Sequence, residues 1–217
     1  MGNLGRVTRL VFVRHGHAEA QERSVVGGHK GCTGLTDRGR WQAERLRDRF
    51  AAAGFRPDAV VTSVLPRAIE TTRIIADGID VDPSTVPHDC ELCERHPGEG
   101  DGLTWSAFVD RYGAIDPLTQ PDVAPSPGGE TTHQFHDRVS DAVDRLSREH
   151  EGHTVLVVCH GGVIMAATLQ LLGIPLGRFT PDIPHTSITE WARDPNGWLL
   201  ARLNDTAHLE GLTPPTR

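Results

Sequence analysis

Arg9-Leu10-Val11-Phe12-Val13-Arg14-His15-Gly16 is the stretch from which the rest of the chain can be read. Residues 10–13 are apolar without alternation, which predicts a strand covered on both faces. The strand runs directly into the charged loop Arg14-His15-Gly16. The same arrangement returns twice. Residues 59–62 form a second short apolar run, followed by Ser63 and, past Pro66, by Arg67. Residues 154–159 form a third and most apolar run, ended by His160-Gly161-Gly162. Helical patterns lie between the runs. Thr36 reads as an N-cap for Ala43, Leu46, Phe50 and Ala53, with Gly54 as the stop. Pro66 fits a first helical position, and Ile69, Arg73 and Ala76 follow to near Gly78. Phe135, Val139, Ala142, Val143 and Leu146 mark a long amphipathic helix. Gly161-Gly162 open another, through Leu172. Residues 187–191 and 198–203 flank Asp194-Pro195-Asn196-Gly197, a hairpin signal.

Strands alternating with helices predict the α/β class: a three-layer α/β/α sandwich with a mostly parallel sheet and a C-terminal antiparallel hairpin at its edge. No repeat or linker divides the chain, so residues 1–217 are read as a single domain. The middle is less regular. Residues 83–102 read as loop with a short strand near Glu91, 104–112 as a helix, and 114–129, with its prolines, as a long surface loop.

Composition narrows the function. The chain has 217 residues, 22 basic and 29 acidic, for a net charge of −7. Lys30 is its only lysine, so nearly all positive charge is arginine. So acidic a chain is a poor general nucleic-acid binder, although a few converging arginines can still hold an anion. The apolar stretch nearest the start, 10–13, is too short for a secretory or membrane-spanning segment. Four cysteines suggest a reducing compartment, and the chain is expected to be cytoplasmic. Cys90 and Cys93 form a CxxC, but no second pair completes a zinc site, so surface or core cysteine is the better reading and no metal is expected.

Ligands of open α/β sheets bind outside the carboxyl ends of the strands. Arg14 and His15, then Ser63 to Arg67, then His160 all stand at such ends. Two arginines and two histidines in one crevice suit a dianion, because the guanidinium fork donates paired hydrogen bonds to a phosphoryl group. Gly161 and Gly162 would add backbone N–H groups at a helix start. One histidine can then serve as nucleophile, the other can donate to the transferring group, and a general acid is needed for an alkoxide leaving group.

These residues resemble a known family. Residues 10–16 look like the signature of the histidine phosphatase superfamily, in its phosphoglycerate-mutase-like branch. Leu35-Thr36-Asp37-Arg38-Gly39, Thr62-Ser63 with Arg67-Ala68 and Glu70-Thr71-Thr72, Leu92-Cys93-Glu94-Arg95-His96 with Gly98 and Gly102, Pro127-Gly128-Gly129-Glu130, and 157–162 resemble its further motifs, in family order. The resemblance implies a phosphohistidine at His15. Arg14, Arg67 and His160 would bind the phosphoryl oxygens. Glu94 would protonate the leaving oxygen and then activate water. No cofactor or metal would be needed. Gln21 stands where the family often has Asn, Gly27 and Gly28 fall on the loop lining the entrance, and Gly161, Arg95, His96 and His185 are further candidate substrate contacts. His17 reads equally as a rim residue, and His88, His133, His136, His150, His153 and His208 as solvated.

Within the family, mutases and phosphatases differ in how they retain the substrate. Glu94-Arg95-His96 resembles the mutase loop, but Pro97 replaces its Tyr. Between His96 and Glu130 the only basic residue is Arg111. Without cations to retain a doubly charged intermediate, water should win. The expectation is a metal-independent phosphomonoesterase acting on a small-molecule phosphate monoester, with no nucleic-acid or membrane partner and homodimerisation left open. The alternatives are a cofactor-dependent phosphoglycerate mutase, a silent phospho-binding scaffold of the same fold, and a metal-dependent hydrolase built on His15-x-His17 or His133-x-x-His136.

Overall fold

A computed structural model describes residues 7–214. The elements are β1 (Thr8–Arg14), α1 (Glu19–Glu22), α2 (Asp37–Ala52), β2 (Ala59–Ser63), α3 (Pro66–Ala76), β3 (His88–Asp89), α4 (Trp105–Tyr112), α5 (Thr132–Glu149), β4 (Thr154–Cys159), α6 (Gly161–Leu171), β5 (Ile188–Asp194) and β6 (Gly197–Asp205). The six strands form one sheet in the order β3-β2-β4-β1-β5-β6. The first four in that order are parallel, while β5 runs antiparallel to both β1 and β6. The expected α/β class, mostly parallel sheet and terminal hairpin are all present.

Alternation along the central strands divides the core in two. Leu10, Phe12, Val155 and Val157 pack with Val139, Val143 and Leu146 of α5 and Val163 and Ile164 of α6. Val11, Val13, Leu156 and Val158 pack on the other face with Leu46 and Phe50 of α2 and Ala68 and Ile75 of α3. A side-chain period of two sends neighbouring residues to opposite faces, so a continuous apolar run is what a doubly covered strand requires.

Local signals set the boundaries. Thr36 Oγ1 accepts from the Gly39 N–H at 3.1 Å to start α2, and Gly54 takes φ 60 beyond its end. Two expectations shift. The strand near Glu91 is only His88–Asp89, because Asp89 caps a 3-10 turn over Cys90–Leu92 with its side chain. The loop after β1 contains the short helix α1, whose Gln21 side chain accepts from the Ala18 N–H at 3.2 Å. Among the described residues, no helix is long and apolar enough to cross a membrane.

Candidate active site

The parallel register of β1 and β4 pairs Arg14 with Cys159, so His15 and His160 leave adjacent strands side by side. The ladder extends one step further, with the His15 N–H bonded to Cys159 O at 3.0 Å. Their ring centroids are 5.1 Å apart. Both side chains are buried.

The third strand end supplies the link between them. Pro66 starts α3, so Arg67 lies in its first turn and projects over the sheet end. Its Nε–H is shared between His15 Nε2 at 3.0 Å and His160 Nδ1 at 3.2 Å, and its Nη1 donates to Gly27 O at 2.6 Å. Accepting that hydrogen fixes both tautomers. His15 Nδ1–H is left to donate to Gly16 O at 2.7 Å. His160 Nε2–H donates to Ser63 Oγ at 2.8 Å. Burial, then Arg67, His160, Arg14 and His185, hold His15 well below the usual histidine range. Burial, Arg67 and Arg14 do the same for His160. His15 is therefore a neutral imidazole with its lone pair on Nε2, the form a nucleophile needs.

Arg14 completes the cationic rim. It donates from Nη1 to Ile183 O, while its Nε is buried without a hydrogen-bond partner. Buried donors are rarely left unsatisfied, and an anion would meet this one. Glu94 sits opposite. Its Oε2 accepts from the Gly162 N–H at 3.1 Å, and a Cβ at position 162 would lie 2.2 Å from its Oε1. Gly162, rather than Gly161, is thus the glycine that seats the carboxylate.

A cavity of about 560 Å³ opens above these groups, lined among others by His15, Arg14, Arg67, Glu94, Gln21 and Arg95. Gly27 and Gly28 also line it, as expected. Gly28 has a second duty: Asp101 accepts from the N–H groups of Gly28, Lys30 and Gly31 at 2.8–3.0 Å and shapes the loop. The outer wall is apolar and includes Trp105, Phe108 and Val109 of α4, then Ile115 and Pro125. The exposed pair Trp105 and Val109, four apart on a helix, was the sequence signal for it.

Other candidates are placed differently. His160 lies beneath Arg67 rather than on the cavity wall, and Gly161 packs on the Arg14 side chain. His185 stands at the rim, 5.7 Å from the His15 ring, with its Nε2 2.8 Å from Gln21 Oε1. Burial and the neighbouring Arg14 push it down to about 3. His96 does not line the cavity. Its backbone N–H is tied to Glu130 at 2.8 Å, the chain turns at Gly98 with φ 64, and the ring faces Cys90. His208, expected in solvent, is 9% exposed and bonded to Thr186 Oγ1 at 3.0 Å. The CxxC is also less solitary than its sequence suggests, since His29 and His96 approach both cysteines.

The sequence pattern of the histidine phosphatase superfamily (branch 1) matches residues 10–206. Phosphoglycerate mutase-like protein 4 of Arabidopsis thaliana is 32% identical over 206 residues, 93% of this chain and 86% of that one. A metal-independent phosphoserine phosphatase of the same plant is 30% identical over 211 residues, covering 95% and 85%. The structure of a mycobacterial glucosyl-3-phosphoglycerate phosphatase superposes with a TM-score of 0.76 at 25% identity, covering 92% of this chain and 99% of that one.

Proposed function

The chain belongs to branch 1 of the histidine phosphatase superfamily and is a phosphoric monoester hydrolase, and from that premise we propose that it transfers the phosphoryl group through His15 to water without a metal at the reacting atoms. The observation that carries this reading is the His15 ring itself: neutral, donating from Nδ1 to Gly16 O, with Nε2 facing Arg67 at the cavity floor.

His15 Nε2 attacks phosphorus as the bond to the leaving oxygen breaks, and Glu94 gives that oxygen its proton. Arg14 and Arg67 hold the non-bridging oxygens, which accept more strongly than the imidazole nitrogens that Arg67 Nε now serves. His160 accepts from Arg67 Nε through Nδ1 at 3.2 Å, and so positions from beneath the guanidinium that binds the phosphoryl oxygens. In the second half, Glu94 as carboxylate removes a proton from water, the oxygen attacks phosphorus, and the P–N bond returns its electrons to Nε2. Inorganic phosphate and an alcohol are the products.

The cavity favours a particular monoester. Beyond Arg14 and Arg67, Arg95 is the only further arginine or lysine among its lining residues, and Trp105, Phe108, Val109 and Ile115 offer apolar surface. We assign the substrate one phosphate, at most one further negative charge met by Arg95, and a neutral or apolar body. The relatives named for phosphoserine and glucosyl-3-phosphoglycerate each fit the single-phosphate part of that description. A mutase would need cations for a second phosphate, which this wall does not offer. The four free cysteines support a reducing, cytoplasmic setting.

The test is phosphate release across a panel of monoesters, with acid-labile phosphoprotein trapped in the same assay. His15→Ala should lose both turnover and phosphoenzyme while keeping its melting transition. Retained turnover in that variant would remove His15 as nucleophile, and preference for bisphosphorylated substrates would remove the single-phosphate reading.

A further inference from the structure

Beside the cavity, three loop segments bring four ligand-type side chains to one point. His29 follows Gly27 and Gly28 on the entrance loop. Cys90 opens the 3-10 turn after β3, Cys93 directly follows it, and His96 lies three residues on. Their Nε2 and Sγ donors all fall within 4.8 Å of one another, the only such group of three or more among the described residues. Cys90 Sγ is 3.6 Å from Cys93 Sγ, 3.9 Å from His29 Nε2 and 3.8 Å from His96 Nε2. A tetrahedral ion with bonds of about 2.3 Å to sulfur and 2.0–2.1 Å to nitrogen needs S···S near 3.8 Å and S···N near 3.6 Å. The three separations from Cys90 match those edges to within a few tenths of an ångström, and the remaining donor pairs lie within 4.8 Å.

The surroundings are those of a ligand shell. Glu130 Oε2 lies 3.7 Å from His96 Nδ1, on the opposite side of the ring from the sulfur. Carboxylates at that nitrogen orient metal-bound imidazoles and raise their basicity. Glu130 is itself held by Arg138, through Nε to Oε1 at 2.7 Å and Nη2 to Oε2 at 2.8 Å. Arg138 also donates to Cys93 O at 3.1 Å. Ser63, which accepts from His160 Nε2–H, turns its own hydroxyl hydrogen to Cys93 Sγ at 3.4 Å, as a donor to a thiolate would.

We propose that His29, Cys90, Cys93 and His96 form a tetrahedral Cys2His2 site for a zinc-class divalent ion, which clamps the loop carrying Glu94 to the entrance loop carrying Gly27 and Gly28. Two thiolates and two neutral imidazoles make a soft, closed shell of the structural type, selective for zinc over magnesium or calcium. Loading converts two thiols to thiolates and releases their protons to solvent. The ion touches no reacting atom, so it does not conflict with a metal-independent phosphoryl transfer. Two of its ligands bracket Glu94-Arg95, and they fix that segment's backbone from both ends.

Full-length protein expressed with zinc and purified without chelator should carry about one zinc per chain by plasma mass spectrometry. Cys90→Ser and His29→Gln should each lose most of it while keeping the far-ultraviolet circular dichroism of the parent. Cobalt added to the reduced, stripped protein should give thiolate-to-metal charge-transfer absorption and the intense visible bands of four-coordinate cobalt. Zinc below about a tenth of an equivalent together with no cobalt bands overturns the site. So does a Cys90–Cys93 disulfide in protein purified anaerobically, because it consumes both sulfurs. These readouts are independent of activity and stand or fall apart from the phosphatase reading. The clamp, which rests on Glu94 as acid, is read separately. Stripping zinc should lower kcat/KM more for an alkyl phosphate than for p-nitrophenyl phosphate, and an equal fall on both overturns it.

Discussion

Glu94 is held by two backbone donors, Gly162 N–H on Oε2 and Arg95 N–H on Oε1 at 3.2 Å, and shares the cavity with the His15 ring. An alkyl phosphate departs as a strongly basic alkoxide and needs its proton, whereas nitrophenolate does not. Glu94→Gln should therefore lower kcat/KM on an alkyl phosphate by about 10²–10⁴-fold, with a loss at least about tenfold smaller on p-nitrophenyl phosphate. Equal losses would remove it from the first step. Arg14, His15 and His160 were legible in the sequence because they stand at strand ends, which are visible as apolar runs, and Arg67 because Pro66 marks the helix start just past another. Ser63 between His160 and Cys93, Asp101 under the entrance loop, and the pairing of His29 with His96 were not. Those contacts join loops about 30–100 residues apart in sequence, and side-chain periodicity reports only which face of a continuous segment is buried. Asp101 is a carboxylate on the same loop as Glu94, but three backbone donors already occupy it.

At the scale of the element, α4 is where sequence and structure inform each other most. Its helix is short, started by Thr104 Oγ1 accepting from the Ala107 N–H at 3.2 Å and ended at Gly113 with φ 80. The Trp105 N–H bonds Ser24 O at 2.9 Å, anchoring the helix start to the chain just before the entrance loop. Phe108 is buried, while Trp105 and Val109 remain exposed on the cavity wall. Such a wall contributes uniform binding, felt by the bound substrate and the transition state alike. Val109→Ser should thus raise KM for a monoester with an apolar body several-fold, roughly 1 kcal/mol of lost burial, and leave kcat and the KM of glycerol phosphate unchanged. A fall in kcat on both substrates would mean that α4 positions the reacting groups instead. The 3-10 turn at Cys90–Leu92 shows the limit of element reading: an Asx-type cap from Asp89 won over the strand expected there.

Across the whole molecule, buried neutral histidines tie stability to pH. Burial and Arg49 hold His208 down to about 4, against about 6.5 in an unfolded chain. Between those values the unfolded state carries the extra proton, so stability rises with pH through that window and is lost as pH falls. His185, held near 3, acts in the same direction. On acidification from pH 7 to 5, urea unfolding should show His208→Gln losing less stability than the parent by roughly 2 kcal/mol. Parallel slopes for the two proteins would show that His208 does not carry this linkage. The contact that buries it joins the loop before β5, the 3-10 turn Ala207–Leu209 and α2, through Thr186 and Arg49, which is why a lone sequence position gave no hint of it. The register of β1 against β4 has a mechanical consequence as well. His15 and His160 inherit their separation from the hydrogen-bond ladder of two interior strands, whereas Glu94 rides on a loop. Warming should therefore divide the chemistry in time: proton delivery to poor leaving groups fades first, while phosphoryl capture from aryl esters persists until the sheet itself comes apart.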